Sequence, residues 1–233
     1  IIPTSTRSPV LAAMGFATLS SMAPGRISVG LGASSPIIVA EWHGREFTKP
    51  LTTTRDFIEI FRRAISGEKT SMETETLRTR NFRLAIDPKV DLPIWLAAIN
   101  DRMLRLAGAI ADGVFLTWCP PSEVQRKLEI VRSGAAEAGR DPSEIEVVLS
   151  FWGFEGGAED VSLVRERCRR SVLAYAMVPT HRSAFIQAFP TLGEAVAAWE
   201  AGDREKAVGL TGDEVLAARC ACPLMTTDGA RRG

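Results

Sequence analysis

The chain has 233 residues, of which 45% are hydrophobic and 24% charged, with 28 basic and 28 acidic side chains. This is an ordinary globular composition, and its zero net charge favours neither nucleic acid nor an anionic membrane as a partner. No apolar run approaches the roughly 20 residues that a membrane-spanning helix needs, so we expect no membrane partner.

The first ten residues, IIPTSTRSPV, lack the basic segment and the continuous apolar stretch of a signal peptide. A β-branched pair followed by a Pro/Ser/Thr loop indicates the end of a strand. Cys119, Cys168, Cys220 and Cys222 form no CxxC pair and have no histidine at metal spacing, so we expect no metal site. A reducing cytoplasm fits this cysteine usage best.

Helical patterns alternate with short apolar strands over the first 151 residues. Apolar periodicity and end signals predict helices over Pro9–Met22, Thr53–Ser66, Asp101–Ile110 and Pro121–Ala138. Short apolar runs predict strands or extended pieces over Ile27–Leu31, Phe82–Ile86, Pro93–Ala98, Val114–Trp118 and Ile145–Phe151. The polar stretch Glu68–Arg80 predicts an exposed excursion.

After Asp160 the pattern is helical, with helices predicted over Val161–Met177, Arg182–Phe189, Leu192–Ala201 and Arg204–Leu216. The stretch Arg219–Gly233 has no periodicity and predicts an irregular or disordered tail. We therefore expect one domain over residues 1–218 and a tail over 219–233. Alternating strands and helices predict an α/β fold whose parallel sheet is covered by helices. About four clear strands are too few for a closed barrel, so an open sheet and part of a (β/α)₈ barrel both fit.

The segment GRISVGLGASSP carries a ligand signal. A short strand runs into the loop Gly32–Pro36, and small residues at the carboxyl end of a buried parallel strand let the backbone approach a ligand. No GxGxxG and no GK[ST] follows, so neither a dinucleotide fingerprint nor a P-loop is supported. An equally good alternative to a ligand site is a strand–loop junction whose glycines serve only packing.

A second signal lies at the start of the helix predicted at Asp101. Asn100 or Asp101 would cap that helix, and the first-turn N–H groups and the helix dipole make its start an anion site. Arg102 lies in the same turn, where an unpaired cation opposes the dipole unless an anion is bound. A capped helix with a solvated Arg102 is the equal alternative.

The remaining candidates are single residues. Trp118 at a strand end suits the wall of a planar-ring pocket, although core packing is the commoner role of tryptophan. We expect Cys119 to be a small buried residue, and we favour a structural role for His43 and His181. No GxSxG, HExxH or paired-carboxylate signature occurs, which favours an enzyme whose cofactor carries the reactive ring.

In order along the chain, ISVGLGASSP, EWHGREFTKPL, TTTRDFIEIFRRAISGE and LPIWLAAINDRMLRLAGAIADGVFLTWCPPSEV resemble the luciferase-like monooxygenase superfamily. The resemblance is nearest to its coenzyme F420-dependent, methylenetetrahydromethanopterin-reductase-like branch and covers roughly residues 1–151. It implies a partial (β/α)₈ TIM barrel with a helical C-terminal part, truncated at both ends. Catalytic residues are expected in the first two strands of the family, which have no counterpart here.

The resemblance also implies a cofactor site. The cofactor would be F420, with FMN as the alternative, and relatives often carry Gly-Pro where this chain has Asn100-Asp101. The cofactor phosphate would lie at Ala97, Ala98, Asn100, Asp101, Arg102 and Met103. The cofactor would be lined by Gly32, Ala33 and Ser34, and Trp118 would lie near its ring or tail.

The expected function is therefore hydride transfer between reduced F420 and a small organic substrate. The rivals are an FMN-dependent monooxygenase, a catalytically incomplete half-barrel with an interaction or structural role, and a phosphate-sugar barrel enzyme using the same anion site. Because a half-barrel leaves two sheet edges unpaired, we also expect the chain either to pair with another copy as a homodimer or to be poorly soluble alone.

Overall fold

The computed structural model describes residues 1–85, 92–150, 152–153, 160–217 and 220–221. Two compact units are present: one comprises Ile1–Phe115 and Lys127–Val148, and the other Leu116–Arg126 and Leu149–Gly233. The single domain over 1–218 stays a prediction. Predictions at residues 86, 151, 218–219 and 222–233 lie outside the described residues.

The strands are β1 Ile2–Pro3, β2 Val29–Gly32, β3 Thr70–Glu73, β4 Arg78–Phe82, β5 Ile94–Ala98, β6 Gly113–Leu116, β7 Glu146–Leu149, β8 Trp152–Gly153 and β9 Cys220–Ala221. The α-helices are α1 Pro9–Met22, α2 Pro50–Ile65, α3 Asp101–Ile110, α4 Pro121–Glu137, α5 Val161–Ala176, α6 Pro179–Ala188, α7 Leu192–Glu200, α8 Arg204–Gly209 and α9 Asp213–Ala217. A π-helical turn spans Ile37–Trp42.

Five strands form the central sheet in the order β1-β2-β5-β6-β7, and the β1–β2 and β2–β5 pairs are parallel. With helices between successive strands, this arrangement confirms the α/β prediction, and β1 confirms the strand end predicted at the N-terminus. No closed barrel forms among the residues that the structure describes.

Side-chain alternation gives the sheet two unlike faces. Val29 and Leu31 of β2 are fully buried, as are Ile94 and Leu96 of β5. The opposite face carries Gly30 and Trp95, which are register partners on the two strands and are less buried. The apolar face of α2 is buried and consists of Phe57, Ile60, Phe61 and Ala64.

Helices α3 and α4 cross at two glycines. A Cβ added to Gly108 would lie 1.9 Å from the carbonyl oxygen of Val131, and one added to Gly134 would lie 2.2 Å from that of Arg105. Only glycine at both positions allows backbones to approach this closely.

Asp112 joins several elements at the amino ends of β5 and β6. Its Oδ2 accepts a hydrogen bond from the N–H of Ile94 at 2.8 Å, and it pairs with the guanidinium of Arg62 at 3.0 Å. Arg140 donates to the carbonyl oxygens of Gly108 and Ala111, each at 2.7 Å. This network ties the C-terminal end of α3 to the sheet.

The stretch predicted as an exposed excursion is an antiparallel hairpin of β3 and β4. The buried carboxylate of Asp56 holds its turn by accepting from the N–H of Thr76 at 2.9 Å and from its hydroxyl at 2.8 Å. Arg55 donates to the same carboxylate. Burial alone would raise the pKa of Asp56, but the hydrogen bonds from Arg55 and Thr76 outweigh it and lower that pKa.

Several predicted boundaries were wrong. The extended piece predicted over 82–86 overlaps β4 only at Phe82. The helix predicted over 204–216 is two helices, α8 and α9, and α6 begins at Pro179 rather than Arg182. Within the predicted tail, Cys220–Ala221 pairs with Trp152–Gly153.

Two absences hold for the described part of the chain. None of its helices is long and apolar enough to cross a membrane. Its His, Cys, Asp and Glu side chains form no group of three or more that could hold a metal ion, and Cys119 and Cys168 are buried.

Candidate cofactor-binding site

The loop after β2 starts from a tightly held backbone. The N–H of Thr4, just beyond β1, donates to the carbonyl oxygen of Gly32 at 2.9 Å, and the Thr4 hydroxyl lies 3.0 Å from that of Thr54 in α2. A Cβ added to Gly32 would lie 3.1 Å from the Ile1 side chain and 3.5 Å from the Ala97 Cβ. A larger residue at position 32 would therefore fill the space between these neighbours.

Two residues of this loop have distinct roles in its shape. Ser34 has a φ of +68°, a left-handed conformation that non-glycine residues rarely adopt. Ser35 is buried, and its hydroxyl accepts from the N–H of Ile38 at 3.4 Å, where the π-helical turn begins. Strained backbone of this kind persists where the surroundings fix it and is frequent at ligand sites.

The start of α3 is capped by one of the two residues that were predicted for this role. Asn100 is the N-cap, and its Oδ1 accepts from the N–H of Met103 at 3.1 Å. A helix leaves its first N–H groups without intrahelical acceptors, so the N–H of Arg102 stays available to an outside acceptor. Met103 is buried and anchors the turn, whereas Asn100 and Arg102 are exposed.

The structure brings the two predicted segments together. β2 and β5 are parallel neighbours, with Leu31 opposite Leu96, so their carboxyl ends lie side by side. Gly32 and Ala97 are the next residues and lie in near contact, as the 3.5 Å distance for an added Cβ shows. The predicted residues thus group at one sheet edge: Gly32, Ala33, Ser34, Ala97, Ala98, Asn100, Asp101, Arg102 and Met103.

The charges at this edge suit an anion in one respect and oppose it in another. The exposed guanidinium of Arg102 makes no hydrogen bond or ion pair with a residue that the structure describes, and the helix dipole adds positive potential. The carboxylate of Asp101 lies in the same turn and opposes an anion. Small residues, backbone N–H groups and one cation fit a phosphate-bearing group.

Trp118 belongs to the second unit and lies two residues after β6. Its φ is +55°, and the residue is 4% exposed. The ring centroid lies 4.8 Å from that of Tyr175 and 5.4 Å from that of Phe185. The packing alternative therefore describes its surroundings, and a cofactor contact stays a prediction.

The two histidines differ in burial. His43 is exposed at the end of the π-helical turn. His181 stacks on Tyr175 with the ring centroids 6.1 Å apart, and its buried Nδ1 has no hydrogen-bond partner among the described residues. Burial lowers the pKa of His181.

Trp95 is a candidate site residue that was not singled out from the sequence. Its indole lies against Gly113, whose added Cβ would come within 3.1 Å of Nε1, and this buried N–H has no acceptor within the described segments. The signal was available in PIWLAA, because strand alternation places Trp95 on the face of Ala97, opposite Ile94 and Leu96.

This chain is similar in sequence to two curated enzymes. The chain is 31% identical over 142 residues to 5,10-methylenetetrahydromethanopterin reductase of Methanolobus tindarius, covering 61% of this chain and 43% of the relative. It is 29% identical over 155 residues to F420-dependent glucose-6-phosphate dehydrogenase of Rhodococcus erythropolis, covering 64% and 46%. The chain thus spans less than half the length of these relatives.

The fold is similar to that of a solved reductase. The solved coenzyme F420-dependent tetrahydromethanopterin reductase from Methanopyrus kandleri superposes with a TM-score of 0.76 at 21% identity, covering 98% of this chain and 71% of that one. The profile of the luciferase-like monooxygenase family matches residues 1–224. With its parallel sheet and the match over nearly its whole length, this chain belongs to the luciferase-like monooxygenase family.

Proposed function

We propose that this chain binds coenzyme F420 at the carboxyl ends of β2 and β5 and takes part in hydride transfer between reduced F420 and a small organic substrate. The observation that carries the proposal is the contact of the Gly32 loop with the strand that leads into the capped, Arg102-bearing start of α3. The 29% identity over 155 residues to F420-dependent glucose-6-phosphate dehydrogenase of Rhodococcus erythropolis supports it.

In this proposal the start of α3 binds the phosphate of the cofactor. The N–H of Arg102 donates to a phosphate oxygen and its guanidinium adds a charge-assisted contact. The side chain of Asn100 accepts from the N–H of Met103, which leaves the N–H of Arg102 to the phosphate. Ala97 and Ala98 let the phosphate approach the backbone because their side chains are small.

The Gly32 loop has a separate task, which is to orient the cofactor beside the sheet edge. Gly32 offers backbone without a side chain, and the held conformation of Ser34 presents the loop in one shape. F420 would supply the hydride carrier, and the contribution of these residues is binding and orientation. Trp118 would border the ring or tail of the cofactor.

The test is titration of the purified chain with F420 and with FMN, followed by fluorescence. We expect saturable F420 binding and weaker or no FMN binding. If the chain is folded by circular dichroism and binds neither, the proposal fails and the interaction or structural role is favoured. Tighter binding of FMN would support the monooxygenase alternative.

The phosphate assignment has its own variant. Arg102→Glu should weaken F420 binding by about 10-fold to 100-fold, because a charge-assisted hydrogen bond contributes roughly 1.5–3 kcal/mol and the new carboxylate repels phosphate. Arg132→Glu is the matched control, since Arg132 is also an exposed arginine of the first unit but lies on α4. Equal affinities of the two variants would refute the role of Arg102.

Two further properties belong to the same proposal. The chain would work in the cytoplasm, as expected for a reduced-cofactor enzyme with this cysteine usage. It would also form a homodimer.

A further inference from the structure

The central sheet has one covered face and one open face. On strands β2, β5 and β6 the covered side chains are at most 1% exposed, and they are Val29, Leu31, Ile94, Leu96, Ala98, Val114 and Leu116. Because side chains alternate along a strand, the opposite face carries the residues between them, of which Gly30, Trp95, Ala97 and Phe115 are partly exposed. Parallel sheets are normally covered on both faces, so this open face has room for an occupant.

The open face is apolar. Strands β2, β5 and β6 read VGLG, IWLAA and GVFL and contain no charged, hydroxyl or amide side chain. At its carboxyl end the open face adjoins the start of α3, which carries the exposed guanidinium of Arg102. Ala97 belongs to both regions, because it lies on the open face and just before the N-cap Asn100. An apolar surface therefore continues directly into the predicted phosphate site.

Trp95 is the largest side chain of the open face, and it leans across the neighbouring strand. A Cβ added to Gly113 of β6 would lie 3.0 Å from Cδ1 and 3.1 Å from Nε1 of Trp95. The pyrrole edge of the indole therefore occupies the space above Gly113, which only a residue without a side chain leaves free. Nε1 is buried, so the part of the side chain that stays accessible is ring carbon. The indole thus offers an apolar aromatic surface above the sheet.

We infer that the planar ring of F420 lies on the open face and stacks against Trp95. The inference rests on the proposed function. F420 joins a planar aromatic ring to a phosphate by a short chain, so its two ends require unlike surroundings. The open face and the start of α3 supply such surroundings side by side, and Trp95 lies about 7 Å before Ala97 along β5 at 3.3 Å per residue. Aromatic rings gain additional stabilisation from stacking on an indole.

The surroundings of the open face favour this ligand over another protein surface. A second copy of the chain or a further strand would need only apolar surface to pack on. The open face instead ends at the first N–H groups of α3 and the guanidinium of Arg102. A ligand that is aromatic at one end and anionic at the other matches both features.

The experiment compares F420 with deazariboflavin, which has the same kind of ring but no phosphate. Each ligand is titrated into the full chain and followed by its own fluorescence. Trp95→Leu should weaken the binding of both ligands about 5-fold to 100-fold, the range that stacking on an aromatic side chain contributes. Arg102→Glu should weaken the binding of F420 alone. Trp95→Phe retains an aromatic ring and should bind both ligands more tightly than Trp95→Leu.

Two further variants separate stacking from a general loss of structure. Trp199→Leu is the matched control, since Trp199 is also a partly exposed tryptophan but lies on α7 of the second unit, and it should leave both affinities unchanged. Gly113→Ala keeps the indole but places a methyl group 3.0 Å from its Cδ1, so it should displace the ring and weaken the binding of both ligands. Circular dichroism checks each fold, and Trp95→Phe with Gly113→Ala decides the question if Trp95→Leu does not fold.

The outcomes distinguish the stacking role from the proposed function. Equal affinities of the wild type and Trp95→Leu for F420 would overturn the stacking role and leave the proposed function intact, as would binding of F420 without binding of deazariboflavin. A folded wild-type chain that binds neither ligand would overturn both. If Trp95→Leu lowers the mass measured by sedimentation and leaves F420 affinity unchanged, a second copy covers the open face, which also contradicts the inference.

Discussion

Replacing Gly108 by alanine tests the closest backbone approach in the first unit. The new Cβ would lie 1.9 Å from the carbonyl oxygen of Val131 and 2.9 Å from the N–H nitrogen of Ala135, so α4 must move by more than about 1 Å. Overpacking of this kind costs about 1–3 kcal/mol, and the better helix propensity of alanine returns about 0.5–1 kcal/mol. We expect a net loss of about 1–2 kcal/mol, or a fall in Tm of about 2–8 °C.

The assay is thermal and urea unfolding of the full chain followed by circular dichroism. Gly15→Ala is the matched control, because Gly15 lies in a helix with open space around it, and the same substitution should raise stability by about 0.5–1 kcal/mol. The opposite signs of the two changes are the diagnostic result. A Gly108→Ala chain as stable as wild type would refute the close crossing of α3 and α4.

Other predictions concern titration and the amino ends of the strands. Asp56→Asn should lower stability at pH 7, and because the folded pKa of Asp56 is lowered, the difference should shrink as the pH falls below about 4. Asp112→Ala should cost about 1–3 kcal/mol in urea unfolding, since the N–H of Ile94 loses its acceptor, but F420 affinity should not change. Burial lowers the pKa of His181, so the wild type should lose stability as the pH falls below about 6.5. His181→Phe should remove that decline, and an unchanged pH profile would contradict the lowered pKa.

Local signals predicted much of the fold. The first helix begins at Pro9 as predicted, and Ser8 Oγ caps it by accepting from the N–H of Leu11 at 3.2 Å. Asn100 was one of two expected caps of α3 and has that role. These signals depend on neighbouring residues in the chain, and for that reason the sequence alone carries them.

Features that depend on distant residues were missed. The polar Thr/Glu stretch forms a hairpin because Asp56, 20 residues before Thr76, accepts from its turn, and no local pattern reveals this contact. In the sequence, Gly108 and Gly134 are only residues of low helix propensity. Their packing role becomes evident when α3 and α4 lie side by side. The rings that pack against Trp118 come from α5 and α6, which lie far along the chain.

The site was predictable in part. The family resemblance implied that the Gly32 loop and the start of α3 belong to one cofactor site, and the parallel β2–β5 register brings the two segments side by side. The roles of the individual residues stay predictions. The resemblance named Asn100 and Asp101, yet it gave no indication of how the carboxylate of Asp101 affects an anion there.

Binding of F420 to the wild-type chain and to Arg102→Glu, with Arg132→Glu beside them, tests the central claim most directly. The account predicts saturable binding to the wild type and to Arg132→Glu, and affinity weakened about 10-fold to 100-fold in Arg102→Glu. Because phosphate binding is electrostatic, the wild-type affinity should also fall as salt is raised. A folded wild-type chain that leaves F420 fluorescence unchanged at every concentration would contradict the account.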